Sequence, residues 1–194
     1  MQLPTNTELN ILSPDEVEDG WILLFDGATL NGWEPESPGS WKVEDGTLTV
    51  NVGPSAGGML RTTTTYSDFS MTIDFWTEKH DSNSGVFIRC TPSASGTEGP
   101  TCYEVNISDA SHAFPTGSLV NVQSTLPDFR ADTSTKWNTL EITASGNHFL
   151  VKLNGRTTVN ARDEKLTAGT IALQARGTDL LRFRNIKLRP LTGP

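Results

Sequence analysis

Residues 138–160 read NTLEITASGNHFLVKLNGRTTVN. Three short runs are separated by Ser145-Gly146 and Asn154-Gly155, dipeptides that close antiparallel hairpins. In the middle run Phe149, Val151 and Leu153 point one way, and His148, Leu150 and Lys152 the other. That period of two is what a half-buried strand requires. The same pattern spreads outward. DFSMTIDFW (68–76) sets Phe69, Met71, Ile73 and Phe75 against Ser70, Thr72, Asp74 and Trp76. WKVE and TLTV (41–50) flank an Asp45-Gly46 turn, and the apolar run WILLF (21–25) reads as a buried strand. GTIALQA (169–175) and LLRFRNIKL (180–188) give the last two strands. SPDEVE (13–18) is a helix start, with Ser13 as N-cap, Pro14 at the first helical position, Glu16 closing a capping box and Gly20 as the stop.

Ten or more short strands with regular turns and one small helix predict an all-β, two-sheet β-sandwich. The 194 residues suit one domain, with residues 1–20 as an N-terminal arm and short helix. Strand spacing alone does not separate a jelly roll from an immunoglobulin-type sandwich, and the Cys…Trp…Cys signature of antibody domains is absent from the sequence. The longest irregular stretch is roughly 109–136. A loop of that length usually carries function or motion.

A net charge of −8 speaks against nucleic acid and against an anionic membrane surface. The apolar runs are far shorter than the roughly 20 residues that span a bilayer as a helix. A neutral ligand such as a small carbohydrate fits this balance. The Thr-, Ser-, Asn- and Gly-rich, Lys-poor texture predicts an exported protein (periplasmic, cell-surface or secreted) whose signal peptide lies outside this sequence. No pattern in the chain speaks to its oligomeric state.

Two apolar runs carry charges that a plain core would not want: NSGVFIRC (83–90) ends near Arg89, and CYEVNISD (102–109) holds Glu104. Buried charges are costly unless paired, so such residues either leave the sheet face or line a site. Cys90 and Cys102 stand at the facing ends of these runs, as a disulfide or as two small free thiols. Direct pairing of the cysteines would place Arg89 and Glu104 on opposite faces; a bulge would restore them to one. Glu104, Asn106 and Ser108 share a face, as do Thr170, Ala172 and Gln174, and as do Arg182 and Arg184. If these faces belong to one sheet, a carboxylate, an amide and arginines converge in a way that suits a polyhydroxylated ligand. Trp76, an aromatic among polar neighbours, could stack on a sugar or cover a sheet edge. Asp109 and His112 with a neighbouring carboxylate could hold a divalent metal, although no ligand spacing is diagnostic and no cofactor is certain. His80 and His148 read as ordinary surface histidines.

GWILLFDGATLNGWE (20–34), WKVEDGTL (41–48), YSDFSMTIDFW (66–76), NSGVFIR (83–89), YEVNISD (103–109), PTGSL (115–119), WNTLEI (137–142), LNG (153–155), IALQARG (171–177) and LRFRNIKLRPL (181–191) occur in this order. The set closely resembles the 3-keto-disaccharide hydrolase domain family, and the resemblance covers nearly the whole chain. It implies a concanavalin A-like jelly roll, export, and action on sugars oxidised at C3. A C3 ketone acidifies the C2 proton. One base can then remove it, expel the C1 substituent and let water add back. On that logic Glu104 is the general base, Arg89 or Arg184 holds the C3 oxygen, and Asn83, Gln174 and Trp76 bind the sugar. Asp109 and His112 assist from the loop. The chain departs from the family where a segment like QDHG is replaced by Gln174-Ala175-Arg176-Gly177, and where a common Gln is replaced by Asn106. A carbohydrate-binding module of the same fold, without chemistry, is the alternative.

Overall fold

The computed structural model describes residues 9–36, 41–50, 58–91, 101–125, 129, 131–177 and 179–191. A helix, α1 (Pro14–Glu18), is followed by strands β1 (Ile22–Leu23), β2 (Trp33–Pro35), β3 (Trp41–Glu44), β4 (Thr47–Val50), β5 (Gly58–Tyr66), β6 (Phe69–Thr77), β7 (Ser84–Thr91), β8 (Thr101–Ile107), β9 (Asn138–Ser145), β10 (His148–Leu153), β11 (Arg156–Arg162), β12 (Gly169–Ala175) and β13 (Leu181–Pro190). The larger sheet runs β11-β10-β9-β6-β13-β4-β3, with β1 also on β13; the smaller runs β2-β5-β12-β7-β8. Every pairing between these strands is antiparallel.

The alternation read in the sequence carries over. Phe69, Met71, Ile73 and Phe75 of β6 are buried, as are Phe149, Val151 and Leu153 of β10. They share one cluster with Val86, Ile88, Val105, Leu60 and Leu173 of the smaller sheet. The Asp45-Gly46 and Asn154-Gly155 turns have both residues at positive φ, as a right-twisted two-residue hairpin needs. Ser13 caps α1 and Glu16 closes the capping box; Glu16 also binds Lys187 of β13 at 2.8 Å.

Three features differ from the sequence reading. WILLF contributes only Ile22 and Leu23 to a strand; Ile22 is exposed, while Phe25 turns inward as core. GMLRTTTTY forms β5, a central partner of β2 and β12, although its run of threonines masks the alternation. The third concerns Arg89. A register shift between Ile88 and Thr91 and a φ of 52° at Arg89 mark a bulge. The bulge does not bring Arg89 beside Glu104. It drives the guanidinium fully inside, where it donates to the carbonyls of Ser67 (2.9 Å), Gly146 (2.8 Å) and Leu166 (2.9 Å) and to Asp68 (2.9 Å). The bulged backbone is pressed against Gly169, where a Cβ would lie 2.4 Å from the Arg89 carbonyl carbon, so only glycine fits there.

Cys90 and Cys102 are joined by a disulfide at this end of the β7–β8 pair, which settles the alternative the sequence left open. The turn-forming residues 92–100 between them lie outside the described residues.

The buried arginine makes a clear prediction. Arg89→Met leaves three carbonyls and a carboxylate without their donor, so urea unfolding should show a loss of about 3–5 kcal/mol. Arg89→Lys, a point charge without the planar fork, should recover only part of it.

Candidate functional site

The open face of the smaller sheet carries the candidate site. Registered pairs place Glu34, Arg61, Ala172, Phe87 and Glu104 side by side across β2, β5, β12, β7 and β8. One step along the strands, Gln174 faces Met59 of β5, and Gly85 faces Asn106. A further step brings the Asn83–Arg176 bridge. This face exists because Leu60, Val86, Val105 and Leu173 take the alternate positions and fill the core.

Glu104 is half-buried at the middle of β8. Its carboxyl is pushed above the usual 4.5 by burial, with the positive charge of Arg176 pulling the other way. Among the described residues no donor reaches its oxygens. Segment 117–120 lies along the free edge of β8: Val120 N donates to Glu104 O (2.9 Å) and Asn106 N to Ser118 O (3.0 Å). The backbone under Glu104 is therefore fixed, and the long irregular loop forms one border of the face. Asn106 donates its amide to the Phe114 carbonyl and so anchors this loop. Gln174 Oε1 is buried without a donor among the described residues. A buried acceptor in that state is an opening for a ligand hydroxyl. Arg61 is tied to Glu36, and a shallow cavity of about 250 Å³ lies between Glu34, Pro35, Glu36 and Arg61. Asn83, Glu104 and Gln174 thus share the face expected of them.

Five expected residues, Arg89, Arg184, Trp76, Asp109 and His112, lie elsewhere. Arg89 is spent inside the fold, as described above. Arg184 and Trp76 sit on the outer side of the larger sheet, where Arg184 packs 3.9 Å from the Trp137 ring and 3.5 Å from Asp74, and Arg182 covers Trp76 at 5.4 Å. Period-two alternation says which residues share a face but not which sheet owns it. Asp109 lies five residues beyond Glu104, about 16 Å at the rise of a strand. Its carboxylate is 2% exposed. It accepts from Thr116 Oγ1 (2.5 Å), Thr133 N (2.6 Å) and Thr133 Oγ1 (3.0 Å), which makes it the staple of the loop.

His112 is exposed and lines a cavity of about 350 Å³ with His80 and Asp109 at the end of the sandwich. Among the described residues, His80, Asp109 and Asp132 are the set that could offer one ligand atom each to a cation, all within 4.8 Å of one another. The Asp109 oxygens, however, already have their threonine donors, and Asp132 is open to solvent beside Lys136. Arg61, Phe87 and Arg176 were not foreseen as parts of the Glu104 face. Arg61 lies on the strand hidden by threonines. Phe87 resembles any core residue in a run of apolar ones.

The 3-keto-alpha-glucoside-1,2-lyase-like domain model matches residues 20–189. A 3-keto-disaccharide hydrolase from Bacteroides thetaiotaomicron is 32% identical over 79 residues, 36% of this chain and 27% of that protein, so the match spans about a quarter of the relative. A candidate glycosyl hydrolase from Parabacteroides distasonis superposes with a TM-score of 0.82 at 20% identity, over 95% of this chain and all of the other. The β-glucanase of Bacillus licheniformis superposes at 0.62 and 12% identity, over 82% and 92% of the two chains. At these identities the two structures speak to fold, and the sandwich is a jelly roll of the glucanase and lectin kind. With its Glu104 face on the smaller sheet and a match over residues 20–189, the chain belongs to the 3-keto-alpha-glucoside-1,2-lyase-like domain family.

Proposed function

We propose that this protein cleaves glycosides already oxidised at C3, by elimination and hydration on the Glu104 face. The observation that carries the reading is a half-buried carboxylate that no donor engages among the described residues, on an open polar face. Direct acetal hydrolysis uses two carboxyl groups, about 5–10 Å apart depending on stereochemistry. Asp109 is bound by threonines, and Glu34 lies four strands away, about 19 Å at normal strand spacing. One base suffices for elimination. Glu104 takes the C2 proton, the electron pair forms the C1–C2 double bond, the C1–O bond breaks, and the departing oxygen takes the proton from Glu104 to leave as the alcohol. Water then adds its oxygen to C1 while C2 regains a proton, giving the free 3-keto sugar. Negative charge gathers on the C3 oxygen during proton removal, and a fixed cation stabilises it. Arg176 is the cation whose field reaches Glu104. It takes the role that the sequence reading gave to Arg89 or Arg184. Gln174 Oε1 accepts a sugar hydroxyl, and Asn83 offers a second polar contact. The disulfide supports an oxidising compartment, hence export.

Glu104→Gln keeps shape and removes the base. Turnover of a 3-keto-aryl glucoside should fall about 10²–10⁴-fold, while calorimetry still shows ligand binding. Normal turnover by the variant sinks the assignment of Glu104; binding without any turnover by the wild type favours a carbohydrate-binding module. The unoxidised glucoside should not react, and the rate with and without EDTA decides whether a divalent metal takes part.

A second prediction concerns pH. The folded pKa of Glu104 lies above its unfolded value, so the native state binds more protons in the interval between them, and stability falls as pH rises through that interval. Glu104→Gln should therefore unfold at higher urea than the wild type at neutral pH. The gain should vanish below pH 4.5. A constant difference across that range would show that burial of the charge is not its cause. The acid limb of kcat/KM should also lie above 4.5, since only the ionised carboxylate can act as the base.

A further inference from the structure

Gly85 stands inside β7, directly opposite Asn106 and diagonal to Glu104. A glycine in a strand interior weakens the strand through lost backbone entropy and missing side-chain contacts. Its usual justification is a left-handed backbone. Gly85 has none: it is not among the glycines at positive φ, and alanine could adopt its conformation without strain. What it offers is space. A Cβ built there would lie 2.9 Å from Glu104 Oε1, 3.2 Å from Glu104 Cγ and 3.0 Å from Phe87 Cε2. The volume that a side chain would fill is held by the Glu104 carboxylate, which lies down on the sheet next to the Phe87 ring. Phe87 is also the direct cross-strand partner of Glu104, so the ring and the bare Gly85 backbone form a seat with one wall and a floor.

We infer that Gly85 is a positioning residue for Glu104: its missing side chain lets the carboxylate lie on the sheet rather than extend into water. The inference concerns the same site and borrows from the proposed function only for its activity readout. A seated carboxylate is partly desolvated and held in one place, and both properties serve a base. Freed from the seat, it would sample several rotamers and regain its water shell. A displacement of about 1 Å at a catalytic group is enough to cost 10²-fold in rate.

Gly85→Ala tests this through three readouts. First, the carboxyl carbon of Glu104, followed by NMR in protein labelled at glutamate and assigned with Glu104→Gln, should titrate lower in Gly85→Ala than in the wild type, moving towards 4.5. Second, kcat/KM on the 3-keto-aryl glucoside should fall about 10- to 100-fold, mainly in kcat. Third, a stability cycle separates seating from general damage. Gly85→Ala should change the urea midpoint less favourably in the wild-type background than with Glu104→Ala, where the Glu104 atoms it would meet are gone and only Phe87 Cε2 remains close.

An unchanged titration, or an equal loss of stability in both backgrounds, overturns the inference. If Gly85→Ala does not fold, the double variant decides: recovery of the fold with Glu104→Ala supports the seat, and continued failure refutes it. If the wild type cleaves no 3-keto glycoside, the functional reading fails, while the titration and the cycle still judge the role of Gly85.

Discussion

One buried guanidinium ties the sandwich together. Arg89 belongs to the smaller sheet, yet its donors satisfy the β5–β6 turn at Ser67 and Asp68, the β9–β10 hairpin at Gly146 and the approach to β12 at Leu166. Its charge also faces the Phe149 ring at 5.1 Å. A fully buried arginine would be a heavy cost if any of these partners were missing, so the hairpins must close where they do. The bulge that sends Arg89 inward also explains the glycine at 169, which would otherwise strike the bulged backbone. The disulfide at Cys90 fixes β7 to β8 one residue further on.

That clamp bears on the site through register. Beyond the bulge the pairing of β7 with β8 is regular from Ile88 back to Ser84, and it sets Phe87 opposite Glu104 and Gly85 opposite Asn106. A slip of one residue would turn Glu104 into the core and Val105 out of it. The loop stapled by Asp109 then covers the outer edge of β8 and fixes the backbone beneath Glu104. A residue once cast as a catalytic helper thus contributes by holding the frame.

The strands and hairpins were legible because their turns carry Asn-Gly and Asp-Gly and because β6 and β10 alternate without a fault. Glu104 was legible because a carboxylate inside an apolar run is uncomfortable without a purpose. Arg89 carried the same signal and meant something different: a charge in an apolar run can be a site or a clamp, and only the three-dimensional position of carbonyls from distant turns separates them. Arg184 and Trp76 misled for another reason. Their alternation is real, but ownership of a face depends on which sheet the strand joins, and that is a long-range property. Arg61 was hidden because four threonines in a row give no apolar rhythm. Gly85 was invisible as a positioning residue, since its reason for being glycine lies in the carboxylate on the next strand.

The account stands on removal of the C2 proton by Glu104. The most direct measurement is cleavage of a 3-keto glycoside in D₂O, with mass and NMR analysis of the released 3-keto sugar before it exchanges spontaneously. Elimination followed by hydration predicts one solvent deuterium at C2 in the first product formed, and none in substrate recovered from Glu104→Gln. Full retention of the original C2 hydrogen, with solvent oxygen entering at C1, would mean direct acetal hydrolysis and would contradict the account.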